Sequence, residues 1–156
     1  MSNVVELIDT IKKIALSQNL IQSAFDGDVY TNWNSSEIKY GSFNVGLQSI
    51  SYSNNLITYT LMLYYGDRLL QDRTNANQIY VDGVNALQSV INLINTASNV
   101  EIAGDIIYTP FEQTFADYLA GVYTTIDLTT ESSLGTCYDS LTINWVLGMN
   151  LPSILS

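Results

Sequence analysis

The chain has 156 residues, enough for one domain with a buried hydrophobic core. Hydrophobic residues make up 47% of it and charged residues only 13%, a composition that argues against intrinsic disorder. The net charge is -10, with 5 Lys and Arg against 15 Asp and Glu, and so few cations argue against tight binding to nucleic-acid phosphates.

The first element is predicted to be an amphipathic helix over residues 3–18. Its apolar residues recur at steps of three and four, as one helical stripe requires: Val4, Leu7, Ile8, Ile11, Ile14 and Ala15. From Asp28 the pattern changes to β-prone runs at 29–31, 38–50 and 56–65. The turn-forming residues 51–55 lie between the last two runs and predict an antiparallel hairpin.

A second helix is predicted over residues 75–96. Its apolar positions are spaced four, three, four and three apart: Tyr80, Val84, Leu87, Ile91 and Ile94. Its outer face carries uncharged polar side chains in place of Lys and Glu: Asn77, Gln78, Asn85, Gln88, Ser89 and Asn92. An uncharged polar face is typical of contact with a neighbouring subunit.

Two further strands are predicted at about 101–109 and 118–129, with Pro110 between them. Residues 131–135 form a loop, and the apolar tail 136–156 either closes the sheet or docks on a partner. The order of elements predicts an α+β fold, with helices packed on an antiparallel sheet. We assign residues 1–130 to a single domain and residues 131–156 to a C-terminal extension.

Few kinds of chemistry are open to this chain. It has no histidine, which excludes chemistry that depends on imidazole, and with one cysteine it cannot build a structural zinc site. Asp26-Gly27-Asp28 reads as a turn and not as a calcium loop. No phosphate-binding glycine motif is present, so we expect no catalytic, cofactor-binding or metal-binding residue.

The start of the chain and its cysteine content indicate the compartment in which the protein is made. Glu6 and Asp9 lie where a signal peptide needs basic and then apolar residues, and no stretch is long and apolar enough to span a membrane. Cys137 is the single cysteine and fits a reducing compartment. We therefore expect synthesis in a cytoplasm and no membrane partner.

Aromatic residues and arginines supply the candidate oligomer interface. Aromatic side chains are enriched at interfaces, and this chain has eleven Tyr among few charges. Arg68 and Arg73 either pair on the surface with the adjacent Asp67 and Asp72 or bridge to acids of a neighbour. The predicted interface residues are Tyr64, Tyr65, Arg68, Arg73, Tyr80, Tyr118 and Tyr123.

Four segments carry a resemblance to a known family. They are DVYT at 28–31, EIKYGSFNV at 37–45, ITYTLMLYYGDRLL at 57–70 and YTPFEQTFAD at 108–117. Together they resemble small tail-completion proteins of Bacteroidetes phages, including crAss-like phages: tail terminators or neck-ring subunits that cap the tail or join it to the head. The resemblance covers residues 1–130, and it implies an α+β fold, self-assembly into a ring and no catalytic activity.

The function that this resemblance implies is a virion structural protein, forming a ring around the DNA channel at the head–tail junction. Its partners would be copies of itself and other neck, tail and portal proteins, in a virion assembled from protein made in the host cytoplasm. Acidic or neutral walls would let DNA pass without holding its phosphates. The copy number, six or twelve, and the channel-facing surface are left open.

Two other functions stay open at the level of the sequence. A virion surface or fibre-associated binding module is favoured by the Tyr, Asn and Ser content. A glycoside hydrolase needs only two carboxylates, which the chain has in excess, although none belongs to a recognisable motif.

Overall fold

The computed structural model of the chain describes residues 4–97, 100–115 and 117–131. The predicted loop and apolar tail beyond residue 131, with Cys137, lie outside these residues. The helices are α1 (Val4–Leu16), α2 (Val29–Trp33) and α3 (Ala76–Ala97). The strands are β1 (Ser23–Asp26), β2 (Ser42–Ser53), β3 (Leu56–Arg68), β4 (Glu101–Ala103), β5 (Thr109–Thr114) and β6 (Tyr118–Glu131).

The six strands form one mixed sheet in the order β1-β2-β3-β6-β4, with β5 also pairing with β6. Only β1 and β2 run parallel, and every other pair is antiparallel. The longest ladders join β2 to β3 and β3 to β6, so β3 lies at the centre of the sheet. The predicted α+β fold with a mainly antiparallel sheet is therefore confirmed.

The main hydrophobic core lies between one face of the sheet and the helices α1 and α3; we call this face the helix face. The alternating residues Leu61, Leu63 and Tyr65 of β3 point into it, where they meet the apolar stripes of both helices. At Gly83 the helix α3 approaches so closely that a Cβ atom would lie 2.6 Å from Val122. The helix periods predicted for α1 and α3 are confirmed to within two residues at each end.

The opposite side, which we call the second face, is partly covered by α2. Residues 29–31 were predicted as a strand, and this prediction is wrong because they begin this short helix. The Asp28 side chain accepts hydrogen bonds from the Tyr30 amide at 3.3 Å and from the Thr31 hydroxyl at 2.8 Å, so a helix cap outweighs the β propensity. Trp33, at the end of α2, packs where Gly66 leaves room for its ring.

The predicted hairpin is confirmed as β2 and β3, but its strands and its turn differ from the prediction. The turn is only Asn54 and Asn55, both with positive φ (54° and 65°), as a tight two-residue hairpin turn requires. The strand β2 begins at Ser42 and not near residue 38. Pro110, expected between strands, lies inside β5, where β5 pairs with β6 alone.

Candidate functional site

The predicted interface residues fall into three separate environments. Four of them, Arg68, Arg73, Tyr80 and Tyr118, lie at the end of the sheet where β5 meets β6. Tyr64 and Tyr123 lie on the second face, and Tyr65 lies in the core.

The first cluster is built around the Glu112 carboxylate of β5. Arg73 donates from both terminal guanidinium nitrogens to its two oxygens. The hydroxyls of Tyr80 and Tyr118 donate to the same carboxylate, at 3.2 and 3.3 Å. Thus a loop residue, a helix residue and a residue at the start of β6 converge on one acid; we call this group the Glu112 cluster.

A second cluster forms around Asp117, directly before β6. Its carboxylate accepts from the Tyr40 hydroxyl and from Arg68 Nη2, the latter at 3.3 Å. The Arg68 guanidinium carbon lies 4.9 Å from the centre of the Tyr40 ring, within cation–π range. We call this group the Asp117 cluster.

Both clusters shift the pKa values of their members. Hydrogen bonding and charge from Arg73 lower the pKa of Glu112, and the hydrogen bond from Tyr40 together with Arg68 lowers the pKa of Asp117. Burial, followed by the nearby carboxylate, raises the pKa of Tyr80 and Tyr40. The acids therefore stay ionised and the tyrosines stay protonated at neutral pH, which maintains each network.

The two arginines form their ion pairs with distant acids and not with the acids next to them in the sequence. Arg68 and Arg73 pair with Asp117 and Glu112, and not with Asp67 and Asp72. The antiparallel pairing of β5 and β6 brings these distant acids to the end of β3. Both arginines remain more than half exposed, so they are satisfied within the chain and still accessible.

Tyr64 and Tyr123 belong to an aromatic cluster on the second face. Their ring centres are 5.5 Å apart, and Phe111 packs against both rings at 6.1 and 6.2 Å. Trp33 adds contacts to Tyr64 and Phe111 from α2. This cluster fixes α2 on the sheet and leaves both tyrosines half-buried.

Tyr65 must be removed from the candidate interface. Its side chain is 1% exposed and packs in the main core, because it shares a face of β3 with Leu61 and Leu63. Burial raises its pKa. Strand alternation separates it from the half-exposed Tyr64 next to it.

A cavity of about 220 Å³ opens beside the aromatic cluster, between the start of α2 and the middle of β2. Tyr30 and Tyr64 supply aromatic walls, and Asp28 and Gln48 supply polar groups. Met62 forms part of its lining. The cavity is shallow and open, and it combines ring faces with hydrogen-bonding groups.

The exposed side of α3 forms a further surface, which we call the α3 outer face. It contains Asn77, Asn85 and Asn92, with Val81 54% and Leu93 41% exposed among them. The one charged residue in the 22 residues of α3 is Asp82, which is half-buried. Asp82 accepts a hydrogen bond from the exposed Gln78 at 2.8 Å, so this face presents mainly amide and apolar groups with a single carboxylate beside them.

Sequence reasoning missed the acids at the centre of both clusters. Glu112 and Asp117 carry no local motif, and β5 was not predicted, so nothing indicated that they would meet the arginines.

Among the described residues, no group of three or more His, Cys, Asp or Glu side chains is placed to hold a metal ion. None of the described helices has the length and hydrophobicity that a membrane crossing requires.

Comparison with known proteins gives no assignment: no family model matches the chain, and no significant match is found among curated proteins.

Proposed function

We propose that this protein is a structural subunit of a bacteriophage virion that assembles into a ring at the head–tail junction. The observation that carries the proposal is the α3 outer face. A long helix normally places Lys and Glu on its solvent side, whereas this one exposes asparagines together with Val81 and Leu93. Covering such a surface with a second subunit costs less desolvation free energy than covering charged side chains would.

Most of the cations are paired with acids of the same chain, which supports the proposal of a channel through which DNA passes freely. Three of the five cations, Lys12, Arg68 and Arg73, form ion pairs within the chain. Residues 74–156 contain eight acidic residues and no basic residue. A ring with this charge would not hold the phosphate backbone by counterion release, so DNA could move along it.

The test is the assembly state of the purified protein, measured by mass photometry and electron microscopy. We expect closed rings, or incorporation into rings of purified neck or tail components. Val81→Glu should shift the population to monomers, because every copy would bring a new charge into a repeated contact. Val5→Glu, at an exposed apolar position of α1, is the matched control and should still assemble.

A chain that stays monomeric at all concentrations and joins no neck or tail component would contradict the proposal. Assembly that tolerates Val81→Glu as well as Val5→Glu would remove the α3 outer face from the contact.

The cavity at the start of α2 favours one other function, a glycan-binding module on the virion surface. The exposed ring of Tyr30 and the half-buried ring of Tyr64, beside Asp28 and Gln48, offer the stacking and hydrogen-bonding groups that a sugar ring uses. Titration with bacterial surface oligosaccharides, followed by amide chemical shifts, tests it. Binding that is lost in Tyr30→Ala and kept in Tyr52→Ala, without ring assembly, would select this function.

A further inference from the structure

The outer edge of β2 is only half covered by the strands that the structure describes. The short strand β1 pairs with β2 from Ser42 to Val45, where β1 ends at Asp26. From Gly46 to Ser53 the strand β2 pairs with β3 on its inner side, and no described strand lies on its outer side. Within the described part of the chain this is a long edge of unpaired backbone, and proteins normally shorten, charge or cover such edges.

The hairpin turn determines which backbone groups face this edge. In a two-residue hairpin the residues that flank the turn, here Ser53 and Leu56, exchange hydrogen bonds with each other. Because this pattern alternates along an antiparallel pair, Ser51 also bonds to β3, whereas the amides of Ile50 and Tyr52 point outward. From Ser49 to Ser53 the edge therefore presents donors and acceptors in the spacing of a strand, and a β-bulge between Leu47 and Ser49 ends this regular stretch.

The side chains of this edge also alternate in character. Ile50 and Tyr52, more than half exposed, lie on the helix face, and Ser49 and Ser51 lie on the second face. No acidic or basic residue occurs between Gly46 and Ser53, so the charges that usually protect an edge strand are missing. A strand that fits here must be apolar toward the helix face and polar or small toward the second face.

A matching pattern occurs in the sequence that follows β6. Leu141, Ile143, Trp145 and Leu147 alternate with Thr142, Asn144 and Val146, and these seven residues are uncharged. We propose that residues 141–147 of the same chain add to the outer edge of β2 as an antiparallel strand, with their apolar side chains beside Ile50 and Tyr52.

The connection is long enough for this arrangement. The last described residue, Glu131, pairs with Leu56 at the hairpin tip, so the described part of β6 ends at the same end of the sheet as β2. Reaching the outer edge means crossing three strand spacings, about 14 Å. The nine residues 132–140 span up to about 30 Å when extended. A tethered segment also has an effective concentration in the millimolar range, which favours its own chain over a neighbour.

Hydrogen exchange of the full chain tests the proposal. The amides of Ile50 and Tyr52 should be protected although they face away from β3. Ile143→Pro removes a ladder donor from the middle of the added strand, and these two amides should then exchange at least about 100-fold faster. Ser133→Pro, in the connection, is the matched control and should leave them protected. The amide of Leu61 reports in each variant that the sheet is intact.

Backbone contacts in the unmodified chain provide a second readout that does not depend on the variants. Proton contacts of Ile50 and Tyr52 with residues 141–147 should arise within one molecule in a mixture of labelled and unlabelled protein. Fast exchange at both amides in the full chain, or contacts that arise only between molecules, would overturn the proposal. Because these measurements need no assembly, a monomeric protein that shows the protection would contradict the ring and still support the added strand.

Discussion

Two buried polar atoms, Nε1 of Trp33 and Oγ1 of Thr124, have no hydrogen-bond partner among the described residues. A buried donor or acceptor without a partner loses its hydrogen bonds to water and gains none in return. The acids of the Glu112 and Asp117 clusters show the opposite case, since each accepts from an arginine and from at least one tyrosine. The paired acids of the two clusters therefore stabilise this fold, whereas the two unpaired buried atoms destabilise it.

Thr124→Val should stabilise the protein by about 1 kcal/mol and raise its Tm by a few degrees, because it replaces an unpaired hydroxyl with a methyl group of similar size. Thr124 is 1% exposed and lies on β6 opposite Leu63. Thr124→Ser, which keeps the hydroxyl and loses the methyl, should lower Tm. Thermal unfolding by circular dichroism measures both, and a lower Tm for Thr124→Val would show that the hydroxyl has a partner.

The Glu112 cluster should make stability sensitive to acid. The pKa of Glu112 is lower in the folded chain than its usual value, because Arg73 and two tyrosines stabilise the carboxylate. Its contribution to stability is therefore present above the unfolded pKa and is lost as pH falls through the lower folded pKa. Glu112→Gln should reduce the drop in Tm between pH 7 and pH 3.

The control for this prediction is Glu37→Gln, an exposed loop position away from the cluster. It should leave the drop in Tm unchanged. An equal acid sensitivity in the Glu112→Gln variant and the unmodified chain would contradict the assignment.

At the scale of elements, the sequence pattern predicted α1, α3 and the β2–β3 hairpin because each is long and has a clear period. It missed β1 and β5, since four and six residues that include Asp26 or Pro110 carry no readable alternation. The site was predictable only in part: Arg68, Arg73, Tyr80 and Tyr118 were selected one by one. Their shared acids depend on a strand pairing that no local signal reveals.

The cap of α2 is a test at this scale. Asp28→Ala removes the acceptor for the Tyr30 amide and the Thr31 hydroxyl, and should destabilise the protein by about 1 kcal/mol in urea unfolding. Asp105→Ala, an exposed acid in the loop between β4 and β5, should have little effect. Equal losses in the two variants would show that the cap does not hold α2 in place.

For the whole molecule, the uneven distribution of charge is the dominant feature. Residues 1–73 carry seven acids and five bases, whereas residues 74–156 carry eight acids and no base. Copies of this chain therefore repel one another, so the proposed ring would need contacts through surfaces with few charges, such as the α3 outer face.

Assembly should therefore strengthen with salt. Raising NaCl from about 20 to about 150 mM shortens the screening length, so the oligomer fraction measured by sedimentation velocity should increase. The opposite dependence would indicate that the exposed Arg68 and Arg73 bridge to acids of a neighbouring copy.

The turn at Asn54 and Asn55 bears on the order in which the fold is built. It closes the β2–β3 ladder across only two residues, which costs little chain entropy, whereas β3 must wait for β6, about fifty residues later, to gain its other neighbour. As the protein is synthesised, this hairpin can form on the ribosome with its β3 edge bare and its β2 edge covered only by β1, from Ser42 to Val45. The nascent chain is therefore most prone to pairing with other polypeptides before residue 118 has emerged.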